Sequence, residues 1–395
     1  MCTRKQQIAI ALSFIASEYL FKPKRRHRMW VKKWLLEKEK YSDIRLLRDL
    51  ACDEPDDFRN YLRMDVSTFN ELLKMKLQRL TVTLRFLATG RSYECLKFSY
   101  GISPQSLGRI IPETCAVIFN VLKKNFFTFP TSEREWLDIG KMFDERWQFP
   151  NCGGAIDGKH IRITCPADTG ALYYNYKNFY SVVLMAIVNA NYEFIFADVG
   201  KNGRNSDGGV FEYTSFWRML TNDELHIPKR EDNVEKMNYV FLADDAFPAH
   251  EHILKRFSQD ESVSNVMNER YNARHSRARN VVENAFGIIN SRFRVLNSPM
   301  NIKVENVNKV VLAICALHNY LCRQSKFYLS PQTVDSIDKR TGEIRHTAEW
   351  RYEENVPQLV ELQNVNRGRP PLLPRENRDR YVSYFSNKGR LPWQN

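Results

Sequence analysis

Two acids carry the strongest chemical signal in this chain. Asp157 closes a short apolar run in GGAIDGKHIRI, residues 153–163, between small residues, and Glu283 stands further on in VVENAFG. Hard divalent cations take carboxylate oxygens as ligands, and a cation bound beside a phosphate can polarise it. Acids so placed in a basic chain are expected to hold metal ions near phosphates.

The chain is basic enough for that expectation. Its 395 residues carry a formal net charge of +13, with a pI near 9.3. Such a balance favours polyanionic partners, nucleic acid or an anionic membrane surface, without separating the two. No run of 18 apolar residues occurs, which argues against a membrane span. Near the N-terminus, Arg4 and Lys5 precede IAIALSFIA in imitation of a signal peptide. The stretch continues into SEYLFKPKRRHR with no clean cleavage site, and reads as an amphipathic helix.

Eight cysteines lie scattered at 2, 52, 95, 115, 152, 165, 315 and 322, with no C-x-x-C and no zinc-finger pairing to histidine. They read as reduced thiols of an intracellular protein. His250 and His252 flank Glu251 but lack the second ligand group of a zincin, so a surface helix is expected there. His318, within the apolar stretch VVLAICALHNYL, reads as a hydrogen-bonded core histidine.

Length and apolar content allow about two domains. The cluster KPKRRHR at 22–28, followed by Trp30 and Trp34, fits a nuclear localisation signal, a phosphate-binding arm or a solvated helix face. From 66 to 126 the pattern predicts several short helices. Ser92 to Tyr100 is punctuated by Gly101, Ser103 and Pro104 then start a helix, and Pro112 is expected to end it and open the next. This is the outline of a helix-turn-helix, whose second helix would present Gln105, Ser106 and Arg109 to a DNA groove.

Beyond Pro150 the periodicity changes. Ser181 to Val188 is continuously apolar, as in a strand covered on both faces. A turn at Asn189 to Asn191 leads to a second, alternating strand. The glycine-rich GKNGRNSDGG then precedes one helix carrying Val210, Tyr213 or Thr214, and Trp217, and Tyr239 to Ala243 forms another strand ending at Asp244. Counting the run before Asp157, the order is strand, strand, strand, helix, strand, helix. That order fits an α/β, RNase-H-like mixed sheet whose first strand, fourth strand and later helix each deliver an acid. In that later helix, positions 278, 282, 285, 286, 289 and 293 make one core-facing stripe. Ser276, Arg279, Glu283, Gly287 and Asn290 fall opposite, where Arg279 could meet a phosphate and Gly287 could admit a nucleic-acid backbone.

Several words in order, FPNCGGAIDGKHIRI, YYNYKNFYSVVLMAIVNANYEFIFADVG, NGRNSDGGVF, FLADDAFP, RHSRARNVVENAFGIINSRFRVL, LHNYL and GRLPWQ, give the chain its resemblance to the Harbinger superfamily of DDE transposases and transposase-derived nucleases. The resemblance is strongest from Cys152 to Cys322 and looser from Arg25 onward. It implies an RNase-H-like nuclease domain at 131–325, in which three acids bind divalent metal, Mg²⁺ or Mn²⁺, to cut DNA at transposon ends. It also implies a basic helical region at 1–130 with a helix-turn-helix at about 92–125, a Myb-like partner protein, a homo-oligomer and a nuclear location. Carried over by position, the first acid is Asp157 and the last Glu283. The glycine-rich word offers Asp207 as the middle one, whereas fold logic prefers Asp244, which ends the strand expected beside the first.

Clustered acids repel DNA until cations fill the site, and nearby arginines must offset that repulsion. Arg204, Arg274, Arg277, Arg279, Arg292 and Arg294 are the candidates for phosphate contacts. One departure from the family pattern stands out: the connection at 73–80 is shorter than members usually have. The segment 326–395, with PPLLP at 370–374, reads as an extended or partly disordered polar tail. The alternatives are a DNA-binding or recruiting protein without turnover, and, disfavoured by charge, a hydrolase of small phosphate esters.

Overall fold

The computed structural model describes residues 43–394, apart from 65, 67–68, 70–76, 204–206, 339, 354–356 and 363–370. The basic cluster at 22–28, the signal-like stretch, Arg204 and the first half of the 73–80 connection therefore lie outside the described residues, as does the side chain of Asp207.

Residues 43–147 contribute helices: α1 (Asp43–Asp53), α2 (Pro55–Leu62), α3 (Leu77–Thr89), α4 (Tyr93–Tyr100), α5 (Pro104–Phe126) and α6 (Glu133–Trp147). Their ends follow local chemistry. The Ser92 side chain accepts from the Cys95 N–H to start α4, and Gly101, at φ 62°, ends it in the left-handed region. Ser103 caps α5, and Ser132 with Glu135 forms a capping box on α6.

Pro112 does not break the chain as expected. It lies buried inside α5, which runs on for 23 residues. Packing of this helix against α3 and against α11 (Val304–Gln324) outweighs the roughly 3 kcal/mol that an internal proline costs.

The sheet is mixed. Strands β1 (Cys152–Arg162), β2 (Ser181–Val188) and β3 (Phe194–Asn202) are antiparallel neighbours, while β4 (Val240–Leu242) and β5 (Ile253–Leu254) continue parallel from β1. The spatial order is β3-β2-β1-β4-β5, consistent with the expected RNase-H-like arrangement. Every residue of β2 is buried, as its unbroken apolar run requires. The glycine-rich loop leads into two helices instead of one, α7 (Asp207–Glu212) and α8 (Ser215–Thr221), because Thr214 turns the chain and caps the second by accepting from the Trp217 N–H.

After β5 and the short α9 (Gln259–Val263) comes the long α10 (Val266–Arg292), which packs on β1 and buries Ala278, Val281, Val282, Ala285, Phe286 and Ile289. His250 and His252 lie in the turn before β5, not on a surface helix, and burial lowers the His250 pKa to about 4. His318 is the expected core histidine, bonded at Nδ1 to the Tyr328 hydroxyl (2.9 Å) and at Nε2 to the Tyr192 carbonyl (2.8 Å).

The helices before residue 130 share one continuous core with the sheet, so no core boundary falls there. Nor are the described parts of 326–394 an extended tail. A hairpin of β6 (Ser336–Ile337) and β7 (Ile344–Arg345), the strand β8 (Val360–Glu361) and the helix α12 (Leu372–Ser386) all fold back. β8 pairs with β1 at Lys159 and His160, and α12 packs on α10. Widely spaced anchors, Trp350, Leu362, Tyr381 and Phe385, are buried, and the polar residues between them mask these anchors in the average composition. Among the described residues no helix is long and apolar enough to cross a membrane.

Candidate active site

The sheet edge at β1 places the first acid. β4 accompanies β1 only as far as Ala155, and β8 joins it from Lys159, so Asp157 sits in the gap between these two partners. Asp244 enters this gap from the turn after β4, two residues beyond its end. Glu283 comes from α10, which lies across β1.

Arg279, one helical turn before Glu283, joins all three. Its Nη2 is 3.2 Å from Asp157 Oδ1 and 3.6 Å from Asp244 Oδ2, and its Nη1 donates to Glu283 Oε1 at 2.9 Å. Arg279 was expected to face solvent and meet a phosphate; it is instead an internal counter-ion, with a side chain only 12% exposed. The same face holds Gly287, expected to admit nucleic acid. There the Trp350 ring fills the space, and an added Cβ would lie 2.2 Å from it.

Two further cations enter the network. Lys159, two residues along β1 and hence on the same face as Asp157, brings Nζ to 3.0 Å from Asp157 Oδ2 and 3.2 Å from Glu361 Oε1. Asp157 Oδ2 is buried, and Lys159 is its charged partner. Arg351 Nη2 lies 3.7 Å from Glu283 Oε2 and 2.6 Å from Asp335 Oδ2. Spacing on the strand makes Lys159 findable in the sequence, but Arg351, Asp335 and Glu361 come from the segment that looked like a tail.

Electrostatics follow from burial and pairing. Burial raises the pKa of Asp244, against the lowering field of Arg279. For Arg279, burial disfavours the charge, but Asp157, Asp244 and Glu283 outweigh it and the pKa rises. Lys159 behaves alike, burial being outweighed by Asp157 and Glu361. Asp335 is held below the ordinary carboxylate range: the hydrogen bonds and charge of Arg351 outweigh the burial that opposes ionisation.

Among the described residues no three acids, histidines or cysteines close on one point as they stand, because a guanidinium separates the acids. The donor chemistry nevertheless fits a hard divalent cation. Three carboxylates already converge on one cation. Asp207 opens α7.

The other expected DNA contacts are spread more widely. Gln105 and Arg109 are exposed, and Ser106 partly so, on the first turns of α5, after the short turn from α4. Arg274 is 2% exposed and serves the fold, donating to the carbonyls of Gly389 (2.9 Å) and Gln148 and to Gln394 Oε1 (3.2 Å). Arg277 is half-buried beside the Trp393 ring, Arg292 is half-buried and Arg294 is exposed. The terminal word GRLPWQ thus closes over Arg274 and Arg277 of α10.

Comparison with known proteins agrees with the resemblance drawn from the sequence. Residues 156–319 match the family of DDE superfamily endonucleases. In Arabidopsis thaliana, the protein named ALP1-like is 24% identical over 62% of this chain and 60% of its own length. Antagonist of like heterochromatin protein 1, from the same organism, is 21% identical over 62% of each. The nuclease-named HARBI1 of Homo sapiens is 22% identical over 60% of this chain and 64% of its own. The match thus spans less than two thirds of these relatives. No solved structure matches the chain.

Proposed function

We propose, on the premise that residues 156–319 carry a DDE superfamily endonuclease domain, that this protein is a divalent-metal-dependent DNA endonuclease of the Harbinger type. The observation that carries the reading is the meeting of Asp157, Asp244 and Glu283, from three separate elements, on the single guanidinium of Arg279. Carboxylates so far apart in sequence converge only where the fold must hold positive charge.

The three acids would hold Mg²⁺ or Mn²⁺ once Arg279 swings away, with Asp244 preferred over Asp207 as the middle member. The metal supplies polarisation of the scissile phosphate and activation of the attacking oxygen. The chain does the rest. The Gly158 N–H, donating to Asp157 Oδ1 at 2.9 Å, and Lys159, ion-paired at Oδ2, hold that carboxylate in place. Water attacks phosphorus, the bond to the 3′-oxygen breaks, and the strand ends in a 3′-hydroxyl. That hydroxyl could attack target DNA in strand transfer. Gln105, Ser106 and Arg109 would read DNA from α5, while Arg277, Arg292 and Arg294 would contact phosphates. A Myb-like partner, a homo-oligomeric assembly and a nuclear location belong to the same reading.

One observation favours a second reading, DNA binding without turnover: Asp157 already has two internal cations, Lys159 and Arg279, and needs no metal for neutrality. Incubating the chain with transposon-end duplex in Mg²⁺ or Mn²⁺ and in EDTA separates the two. Metal-dependent nicking that Asp157→Asn abolishes supports the nuclease. Salt-sensitive binding with no cutting in either metal leaves the second reading.

A further inference from the structure

We propose that the cleft between α2 and the C-terminal end of α10 binds a backbone phosphate of nucleic acid. Its volume is about 240 Å³, and Arg59, Asn60, Arg63, Arg292, Ser325 and Phe327 contribute to its walls. Three of these six present guanidinium groups.

Positive charge is concentrated here in excess of the acids around it. Among the described residues, Arg63, Arg292 and Arg294 form no ion pair; Arg59 has only Asp56, whose carboxylate is 83% exposed and well screened. Burial, and then the fields of Arg294, Arg292 and Arg85, lower the Arg63 pKa, and only Glu353 opposes them. Like charges held together this way lose free energy when an oxyanion enters. One local feature points the same way: Arg292 Nε is buried without a hydrogen-bond partner.

The occupant is nucleic acid because of Phe327. This ring is 64% exposed on the cleft's rim, with the Arg59 guanidinium 4.6 Å from its centroid. A free phosphate has no use for an exposed aromatic, whereas a strand can lay a base or sugar against it. The cleft is distinct from the acids. Arg292 follows Glu283 by nine residues of α10, about 13 Å along the axis and roughly half a turn around it. The choice of nucleic acid rests on the proposed nuclease reading; the concentration of charge does not.

The test is fluorescence anisotropy of a labelled duplex with the full chain in EDTA, across a salt series. Arg63→Gln with Arg292→Gln should weaken binding about tenfold and flatten the salt dependence by about 0.9, the effect of one lost phosphate contact. Arg63→Lys with Arg292→Lys should keep the slope and lose part of the affinity, since lysine retains the charge but not the fork. Wild-type affinity and slope in the glutamine pair would overturn the proposal. So would a glutamine pair that loses only stabilisation by inorganic phosphate. If that pair melts early, the exposed Phe327→Ala decides: several-fold weaker binding supports the site, and unchanged binding sinks it. A wild-type chain that binds duplex but never cuts contradicts the nuclease and leaves this cleft standing. A chain that cuts, while its arginine variants bind normally, does the reverse.

Discussion

Arg279 Nη2 sits 3.2 Å from Asp157 Oδ1, so the most buried acid of the candidate site has its nearest arginine inside the protein, not on a ligand. Removing this guanidinium leaves three carboxylates facing one another. Arg279→Gln should lower the apo chain's stability by on the order of 3–5 kcal/mol, the cost of breaking a buried pair. The same change should enlarge the rise in melting temperature produced by Mn²⁺, since the one cation shared by all three acids no longer competes for them. An Mn²⁺ shift equal to that of the wild type would mean that the guanidinium and the metal do not share a place.

Asp335 anchors the C-terminal segment. It accepts from Arg351 Nε (2.8 Å) and from the Ala348 N–H (3.3 Å), while its own N–H donates to Asn284 on α10 (2.9 Å). Because Arg351 holds the folded-state pKa below the unfolded value, the stabilisation is complete above about 3.9. It is lost as pH falls through the lower folded value. Asp335→Asn should therefore cost about 3 kcal/mol near neutral pH. In urea melts the gap to wild type should close in acid. A gap that persists unchanged at low pH would refute ionic anchoring, Arg351 being the guanidinium and His346 the titratable ring that face this carboxylate.

Gly287 tests the packing of that segment on α10. Its added methyl would fall 2.2 Å from the Trp350 ring, so Gly287→Ala should destabilise by about 1–3 kcal/mol despite better helix propensity. Pairing it with Trp350→Ala should recover part of the loss in a double-mutant cycle. Strict additivity of the two changes would place Trp350 elsewhere.

Much of the site was legible because its signals are local. Asp157 on a strand, Asp244 just beyond one and Glu283 one helical turn from Arg279 follow from periods of 2 and 3.6, and the capped α4–α5 pair follows from Ser92, Gly101 and Ser103. What the sequence concealed depends on long-range packing. Pro112 continues a helix because other helices hold it, and Trp350 fills the space above Gly287 from sixty-three positions away. Arg279 and Arg274, read as surface charges, are buried because acids and the last few residues of the chain close around them.

The three-acid assignment is tested most directly by metal-dependent cleavage of end-sequence duplex by the wild type, Asp157→Asn, Asp244→Asn, Glu283→Gln and Asp207→Asn, with folding checked by circular dichroism. Loss of roughly two orders of magnitude or more, the scale of removing one catalytic group, is expected for Asp157, Asp244 and Glu283, with Asp207→Asn affected less. Full activity in Asp244→Asn alongside an inactive Asp207→Asn would contradict it.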